Sequence, residues 1–328
     1  MALDERGQER AWNRRDKKYY REREDTASIT EERLLKDEHI EFILNCYKSG
    51  GFTNFPDSNQ IDIQSTFAGL NCAVLLQIPN FKSLLKEVNP VLNKNLLGIQ
   101  CDSRVIPVKN MPDLYRFSNL LRTLNWNPDE QEKHSIIRTI THLFTVSDLR
   151  RVYEKTAIEY NCCINPDNEL SVKAISDNWK PEIGFFRWVR DRPVPVSDAW
   201  YNAVALSHMI KYTLPNDMKN SILQALDKYR SVDGYRTHPA HHPNVWSLYD
   251  LALTNYMMRG VESEDKIIAI KRYLLRCQSI SGGFYSGVHG DHPTILKSSC
   301  ALFLYELMSG DHQKHLDLCS GAVVNQRL

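Results

Sequence analysis

The chain has 328 residues, 42% of them hydrophobic, enough for a sizeable core in one large domain or two ordinary ones. Lys and Arg number 41 against 40 Asp and Glu, and a net charge of +1 gives no electrostatic footprint for nucleic acid. No apolar run reaches the ~18–20 residues of a transmembrane helix and the N-terminus carries no apolar signal segment, so a cytoplasmic location is expected, with the eight cysteines as free thiols.

Residues 1–33 are a run of mixed charge with few aliphatics, which reads as a solvated helix or a disordered arm and offers a surface for a protein partner. Thr30-Glu31-Glu32-Arg33 then caps a first helix, Leu34–Tyr47, which stops at Ser49-Gly50-Gly51-Phe52. A polar loop leads to a second helix, Ile63–Leu76, carrying the small residues Ser65, Ala68, Gly69 and Ala73. The unit then recurs. The apolar segment Leu84–Leu97 precedes Gly98 and a loop into Asp113–Leu124, and Ile136–Phe144 pairs with Asp148–Tyr160. Gly184 opens a loop into Asp198–Ile210, Ile222–Tyr229 is followed by Gly234 and Val245–Met258, and Gly282-Gly283-Phe284 leads to Ile295–Leu307.

The turn glycines 51, 98, 184, 234 and 283 are separated by 47, 86, 50 and 49 positions, the 86 holding two shorter periods. Six helical hairpins of ~40–50 residues are the signature of a helical repeat array, in which each hairpin buries its faces only by stacking on neighbours. The second helix of each pair is richer in apolar and small residues and belongs inside a ring of first helices. The expected fold is therefore all-α, an (α/α)6 toroid over residues 34–310, with the arm at 1–33 and a tail at 311–328. An open solenoid of the same hairpins is the alternative.

Two strings carry a resemblance. Cys277-Gln278-Ser279, two residues, then Gly282-Gly283-Phe284 form one, and Cys46, three residues, then Gly50-Gly51-Phe52 form the other. They resemble the repeat core of the prenyltransferase and squalene–hopene cyclase superfamily, with weaker copies at Ile183-Gly184-Phe185 and Val232-Asp233-Gly234-Tyr235. The resemblance implies an α6–α6 barrel whose apolar, aromatic-lined cavity shelters polyisoprenoid chains or carbocations. It also makes the departures visible. Where protonating cyclases carry Asp-x-Asp-Asp, this chain has Asp62-Ile63-Gln64-Ser65, with an amide in place of the proton donor. There is no Asp-Asp-x-x-Asp, residues 232–251 contain no Cys, and the last inner helix begins with Lys297 where the zinc-binding prenyltransferase subunits have a His.

The candidate residues follow from position. Asp198, flanked by aromatics in Ser197-Asp198-Ala199-Trp200-Tyr201, and Asp62 are the candidate acids, although Asp at a helix start is first of all a cap. The loops at 237–243 and 289–293 bring His241, His242, His289 and His292 towards one mouth of the barrel. His241 and His289 are read as acid–base candidates, and His241, His242 and His292 as ligands of a divalent metal such as zinc or magnesium, though their spacings fit no closed ligand set. Trp200, Tyr201, Trp246, Tyr249 and Tyr285 are candidates to line the cavity, and Arg187, Arg236 and Lys297 to hold an anionic group. These readings point to a terpenoid cyclase-like or prenyltransferase-like enzyme using acid–base or cationic chemistry on an isoprenoid or similar apolar small molecule. A non-catalytic binding toroid or a protein prenyltransferase subunit is the alternative.

Overall fold

A computed structural model describes residues 33–79, 81–93, 96–145, 148–181, 185–186, 197–231, 234–236, 243–260, 262–288 and 292–309. Contacts divide the chain into the units Met1–Leu34 and Leu35–Leu328, and everything below concerns the second. Its helices are α1 (Lys36–Cys46), α2 (Ile63–Leu75), α3 (Phe81–Glu87), α4 (Met111–Thr123), α5 (Glu130–Leu143), α6 (Leu149–Asn161), α7 (Asn168–Asn178), α8 (Ser197–Met209), α9 (Asn216–Lys228), α10 (Val245–Arg259), α11 (Glu264–Arg276) and α12 (Ile295–Leu307). The even-numbered helices pack in sequence, α2 on α4, α4 on α6, α6 on α8, α8 on α10 and α10 on α12, and α12 packs back on α2. That return contact closes the ring, so the toroid is observed rather than the open solenoid. The odd-numbered helices lie outside, with α7 spanning α6 and α8.

The inner helices begin where the sequence supplies caps. Asp62, Asn110, Asp148, Asn244 and Thr294 each accept the backbone N–H three residues on, at 2.7, 2.9, 2.8, 2.9 and 3.2 Å. Each such cap is worth about 1 kcal/mol. Outer and inner helices are joined by very short antiparallel hairpins, Tyr47–Lys48 with Gly51–Phe52, Trp179–Lys180 with Phe185–Phe186, and Arg230–Ser231 with Gly234–Tyr235. Phe52 N–H donates to Thr66 Oγ1 and Phe284 N–H donates to Ser298 Oγ, both at 3.0 Å. The small residues of the inner helices make room for these corners: a Cβ on Gly69 would lie 2.4 Å from the Phe52 ring.

One segment departs from the expected pattern. Leu84–Leu97 is not an outer helix, because α3 ends at Glu87 and the chain enters a three-stranded antiparallel meander of Asn89–Asn93, Leu96–Cys101 and Arg104–Pro107. Pro90 has no N–H to continue a helix and biases Asn89 towards extended backbone, while Ile99, Val105 and Ile106 favour strands. Gly98 is thus a strand residue, and a Cβ there would meet the Ile106 carbonyl oxygen at 2.2 Å. Among the described residues no helix is long and apolar enough to cross a membrane.

The seam of the ring is polar. His39 of α1 is buried and stacks on Phe284 at 4.6 Å between centroids and 6° between planes. Its Nδ1 accepts Gly283 N–H at 2.8 Å, which assigns the proton to Nε2, directed at Gln278 Oε1 3.3 Å away. Gln278 Oε1 also accepts Leu35 N–H at 3.1 Å. Burial lowers the His39 pKa from 6.5 to about 4, against the opposing pull of Gln278 and Glu38. Protonation would also turn Nδ1 into a donor facing the Gly283 donor. Because the folded value lies below the unfolded one, the seam is at full strength above pH 6.5 and weakens as pH falls towards about 4. The stability difference between the parent and His39→Ala in urea should shrink by about 3 kcal/mol across that interval. His39→Ala should remove this pH dependence and lower stability at neutral pH by ~2–3 kcal/mol.

Candidate functional site

An inner helix with its N-terminus at one mouth presents a fixed set of positions to the centre, one turn apart. The fifth residues of the six inner helices are Phe67, Tyr115, Tyr153, Tyr201, Tyr249 and Ser299, and all line a central cavity of about 460 Å³. Where α12 has a serine at that position, Phe303 one turn further on supplies the ring. Tyr115, Tyr153, Tyr201, Tyr249 and Phe303 follow one another around the wall with centroid separations of 5.6, 5.8, 6.2 and 5.8 Å. Hydroxyls link the first three, Tyr115 to Tyr153 at 2.9 Å and Tyr153 to Tyr201 at 3.3 Å. Burial drives the phenol pKa values of Tyr153, Tyr201 and Tyr249 upward, so they act as neutral donors.

The sixth positions carry the charge. Arg116, Glu154, Asn202, Asp250 and Cys300 all line the cavity, beside the belt. Asp250 Oδ2 accepts a hydrogen bond from Ser197 Oγ at 2.9 Å. Burial, reinforced by the charge of Asp198, raises the Asp250 pKa from 3.8 to about 7, and the Ser197 bond and Arg150 only partly oppose it. Arg150 reaches Asp198 at 3.8 Å and Glu154 at 3.2 Å, and Arg151 holds the other Glu154 oxygen at 2.5 Å. The wall therefore combines a paired arginine–carboxylate cluster with one acid that is substantially protonated near neutral pH. The Cys300 thiol is pushed up to about 12 by burial and is no nucleophile.

Arg116 differs from the other cations of the wall. Its guanidinium lies over the rings of Tyr115 at 5.1 Å and Phe67 at 5.5 Å. Burial opposes its charge, while the oxygens of Tyr115, Tyr249 and Tyr153 and the Cys300 sulfur outweigh burial and keep it protonated.

Of the candidates read from the sequence, Asp198, Tyr201, Trp246 and Tyr249 line this cavity, Trp246 being 40% exposed at its rim. Asp62 does not. Its two oxygens are taken by the N–H and Oγ of Ser65, both at 2.7 Å, which makes it a helix cap. Trp200, one residue and ~100° round the helix from Tyr201, turns outward, is 2% exposed, and packs edge-on against Tyr229 at 5.1 Å. Tyr285 belongs to the last corner, with its hydroxyl 3.5 Å from Ser279 Oγ, and Lys297 Nζ donates to the His292 carbonyl at 2.9 Å. Arg236 continues the Gly234–Tyr235 strand, donating its N–H to the Tyr229 carbonyl at 3.0 Å. None of these three lines the cavity, and His292 is exposed on the outer surface. Arg187, His241, His242 and His289 lie outside the described residues, and among the described residues no group of three or more His, Cys, Asp or Glu is placed to hold a metal ion.

Asp250, Arg116, Phe67, Tyr115 and Tyr153 were not singled out from the sequence. Aligning the six inner helices on their N-termini reveals them, because aromatics then fall in the fifth column and polar groups in the sixth.

Comparison with known proteins agrees with the geometry. The model of a family described as the prenyltransferase alpha-alpha toroid domain matches residues 26–94 and 115–326. Among solved structures the chain is similar to Candida albicans protein geranylgeranyltransferase-I complexed with GGPP, with a TM-score of 0.56 and 14% sequence identity over 86% of this chain and 93% of that one. At that identity the likeness shows the fold. No match was found among curated protein sequences.

The Asp250 assignment is open to direct measurement. In a carboxyl 13C-NMR titration Asp250 should titrate near 7, and in Asp198→Asn it should titrate lower because the neighbouring negative charge is gone. A folded value above the unfolded one stabilises the protein at low pH, and that contribution is lost as pH rises through about 7. Asp250→Asn should therefore resist urea better than the parent above neutral pH.

Proposed function

Because the chain belongs to the prenyltransferase alpha-alpha toroid domain family, we propose that its central cavity holds an isoprenoid or similar apolar chain and that Asp250 transfers a proton to it. The observation that carries this reading is a part-buried, desolvated carboxyl, raised to about 7, set beside a belt of aromatic faces in a cavity of about 460 Å³. Cavities of that size suit drug-sized apolar ligands. At neutral pH such an acid is present in both protonation states, the condition under which proton donation and recovery both proceed. Asp250 O–H would protonate an alkene carbon, leaving a carboxylate on the protein and a carbocation on the ligand. The faces of Tyr201, Tyr249 and Phe303 would stabilise the cation, a contact worth ~2 kcal/mol when desolvated. Loss of a neighbouring proton, or capture of a nucleophile, would end the reaction. Asp198 and Ser197 are the positioning groups, the first by its charge and the second by its hydrogen bond.

A second reading, a protein prenyltransferase subunit, draws on the likeness to the geranylgeranyltransferase-I chain, whose structure was solved with GGPP. On that reading the same cavity would shelter the lipid of a prenyl diphosphate while, at the mouth, a protein cysteine thiolate forms the C–S bond as the C–O bond breaks and diphosphate leaves.

Incubation of the purified chain with linear isoprenoids in deuterated water separates the two. The first reading expects a product carrying one deuterium, with at least a 100-fold loss of rate in Asp250→Asn while binding persists. If no deuterated product forms and labelled geranylgeranyl groups instead appear on a cysteine peptide, the second reading replaces it.

A further inference from the structure

Arg116 is the cation of this wall without a carboxylate. Arg150 and Arg151 are held by Glu154 and Asp198, whereas among the described residues Arg116 forms neither an ion pair nor a hydrogen bond. A guanidinium has five N–H donors and stays charged, so one held part-buried against only two ring faces keeps donors that a ligand can complete. Three residues on, Asn119 also lines the cavity and is itself buried. Its orientation is fixed by a chain of bonds. Arg122 Nη1 donates to Asn161 Oδ1 at 3.4 Å, and Asn161 Nδ2 donates to Asn119 Oδ1 at 2.7 Å. Reversing the Asn119 amide would set two donors against each other. The Asn119 Nδ2 is therefore a fixed donor, and no group among the described residues accepts from it. Guanidinium and amide lie one helical turn apart on the inner face of α4, and both lack an acceptor.

We propose that Arg116 and Asn119 receive the two oxygens of a carboxylate carried by the apolar ligand, so that the substrate class is an isoprenoid-type or similar chain with a single negative charge at its head. This rests on the reading of the cavity as an apolar-ligand site and names the head group that site selects. Charge decides between a carboxylate and a diphosphate. Arg150 is already paired with Glu154 and Asp198, Arg116 has no carboxylate partner among the described residues, and Asp250 adds a further negative charge when it ionises. The wall can neutralise one incoming negative charge at Arg116. A diphosphate would bring about three, leaving unpaired charge beside two or three carboxylates in a buried space. A planar carboxylate also matches the guanidinium fork.

Isothermal titration of the full chain with farnesoic acid, farnesol, farnesyl diphosphate and decanoate tests this. Farnesoic acid should bind at least 10-fold more tightly than farnesol and than the diphosphate, and Arg116→Gln should remove the preference over farnesol while leaving farnesol binding within about two-fold. The head-group comparison on the parent protein needs no variant and so does not depend on how Arg116→Gln folds. Equal binding of acid and alcohol overturns the anion site, and tightest binding of the diphosphate overturns the single-charge assignment. Binding of decanoate but of no prenyl compound, lost in Arg116→Gln, keeps the carboxylate site and removes the isoprenoid reading. Binding of none overturns both.

Discussion

A ring of helical hairpins has to fasten its last unit to its first, and here a handful of polar atoms fasten the corner beside the packing of α12 on α2. The Gln278 side chain and the Gly283 N–H reach back to α1, while Gly282 passes so close that a Cβ there would lie 2.0 Å from the Glu38 carbonyl oxygen. Both Gly282 and Gly283 have positive φ, 84° and 75°, so the corner combines a conformation and a clearance that only glycine meets together. Every inner helix is aimed by the closure of this ring. If the seam opened, α12 would leave α2, and Phe303 and Cys300 would leave the cavity wall.

The Gln-(three residues)-Gly-Gly-Phe string at 278–284 is thus legible from sequence as a turn, and the structure adds what the turn is for. The first copy, Gly50-Gly51-Phe52, keeps the corner but has Tyr47 in the place of Gln278, and the meander packs directly against it. Cys101 Sγ lies 3.6 Å from the Gly50 carbonyl there. The last copy alone has to close the circle. The meander itself escaped a reading by apolar run length, since Leu84–Leu97 has the hydrophobic content of an outer helix; Pro90 was the signal, and it outweighs composition because it removes both a donor and a backbone conformation.

The site was legible in the same uneven way. A helix turns ~100° per residue, so adjacent aromatics serve opposite surfaces, and Trp200 with Tyr201 on α8 shows this: the first fills the space towards the outer helices, the second faces the cavity. Composition alone cannot separate them. Helix register can, once the N-terminus is known to within a residue, and the caps at Asp62, Asn110, Asp148, Asn244 and Thr294 fix it. Asp62 illustrates the converse error, in which a partial motif match drew attention to a carboxylate wholly engaged by Ser65. The acid that the cavity isolates, Asp250, follows Tyr249 in no motif. Its character comes from burial and from Asp198, which lies 52 positions away in sequence and is brought near only by the packing of α8 on α10.

Electrostatics also constrains any chemistry in the barrel. A carbocation stabilised by Tyr201, Tyr249 and Phe303 would share the cavity with a protonated Arg116, and like charges a few ångströms apart in a medium of low dielectric repel strongly. The aromatic belt and the guanidinium therefore make opposite demands of a ligand, unless the ligand brings its own negative charge to Arg116. With a carboxylate seated there, the field at the belt is that of an ion pair rather than of a bare cation. Asp250, once it has given up its proton, then supplies a negative charge that holds the carbocation instead of competing with it. The pairing of Arg150 and Arg151 with Glu154 and Asp198 fits that proposal: cations without carboxylates on that side would draw the Asp250 carboxyl back towards its ordinary value, and an ionised Asp250 would have no proton to give.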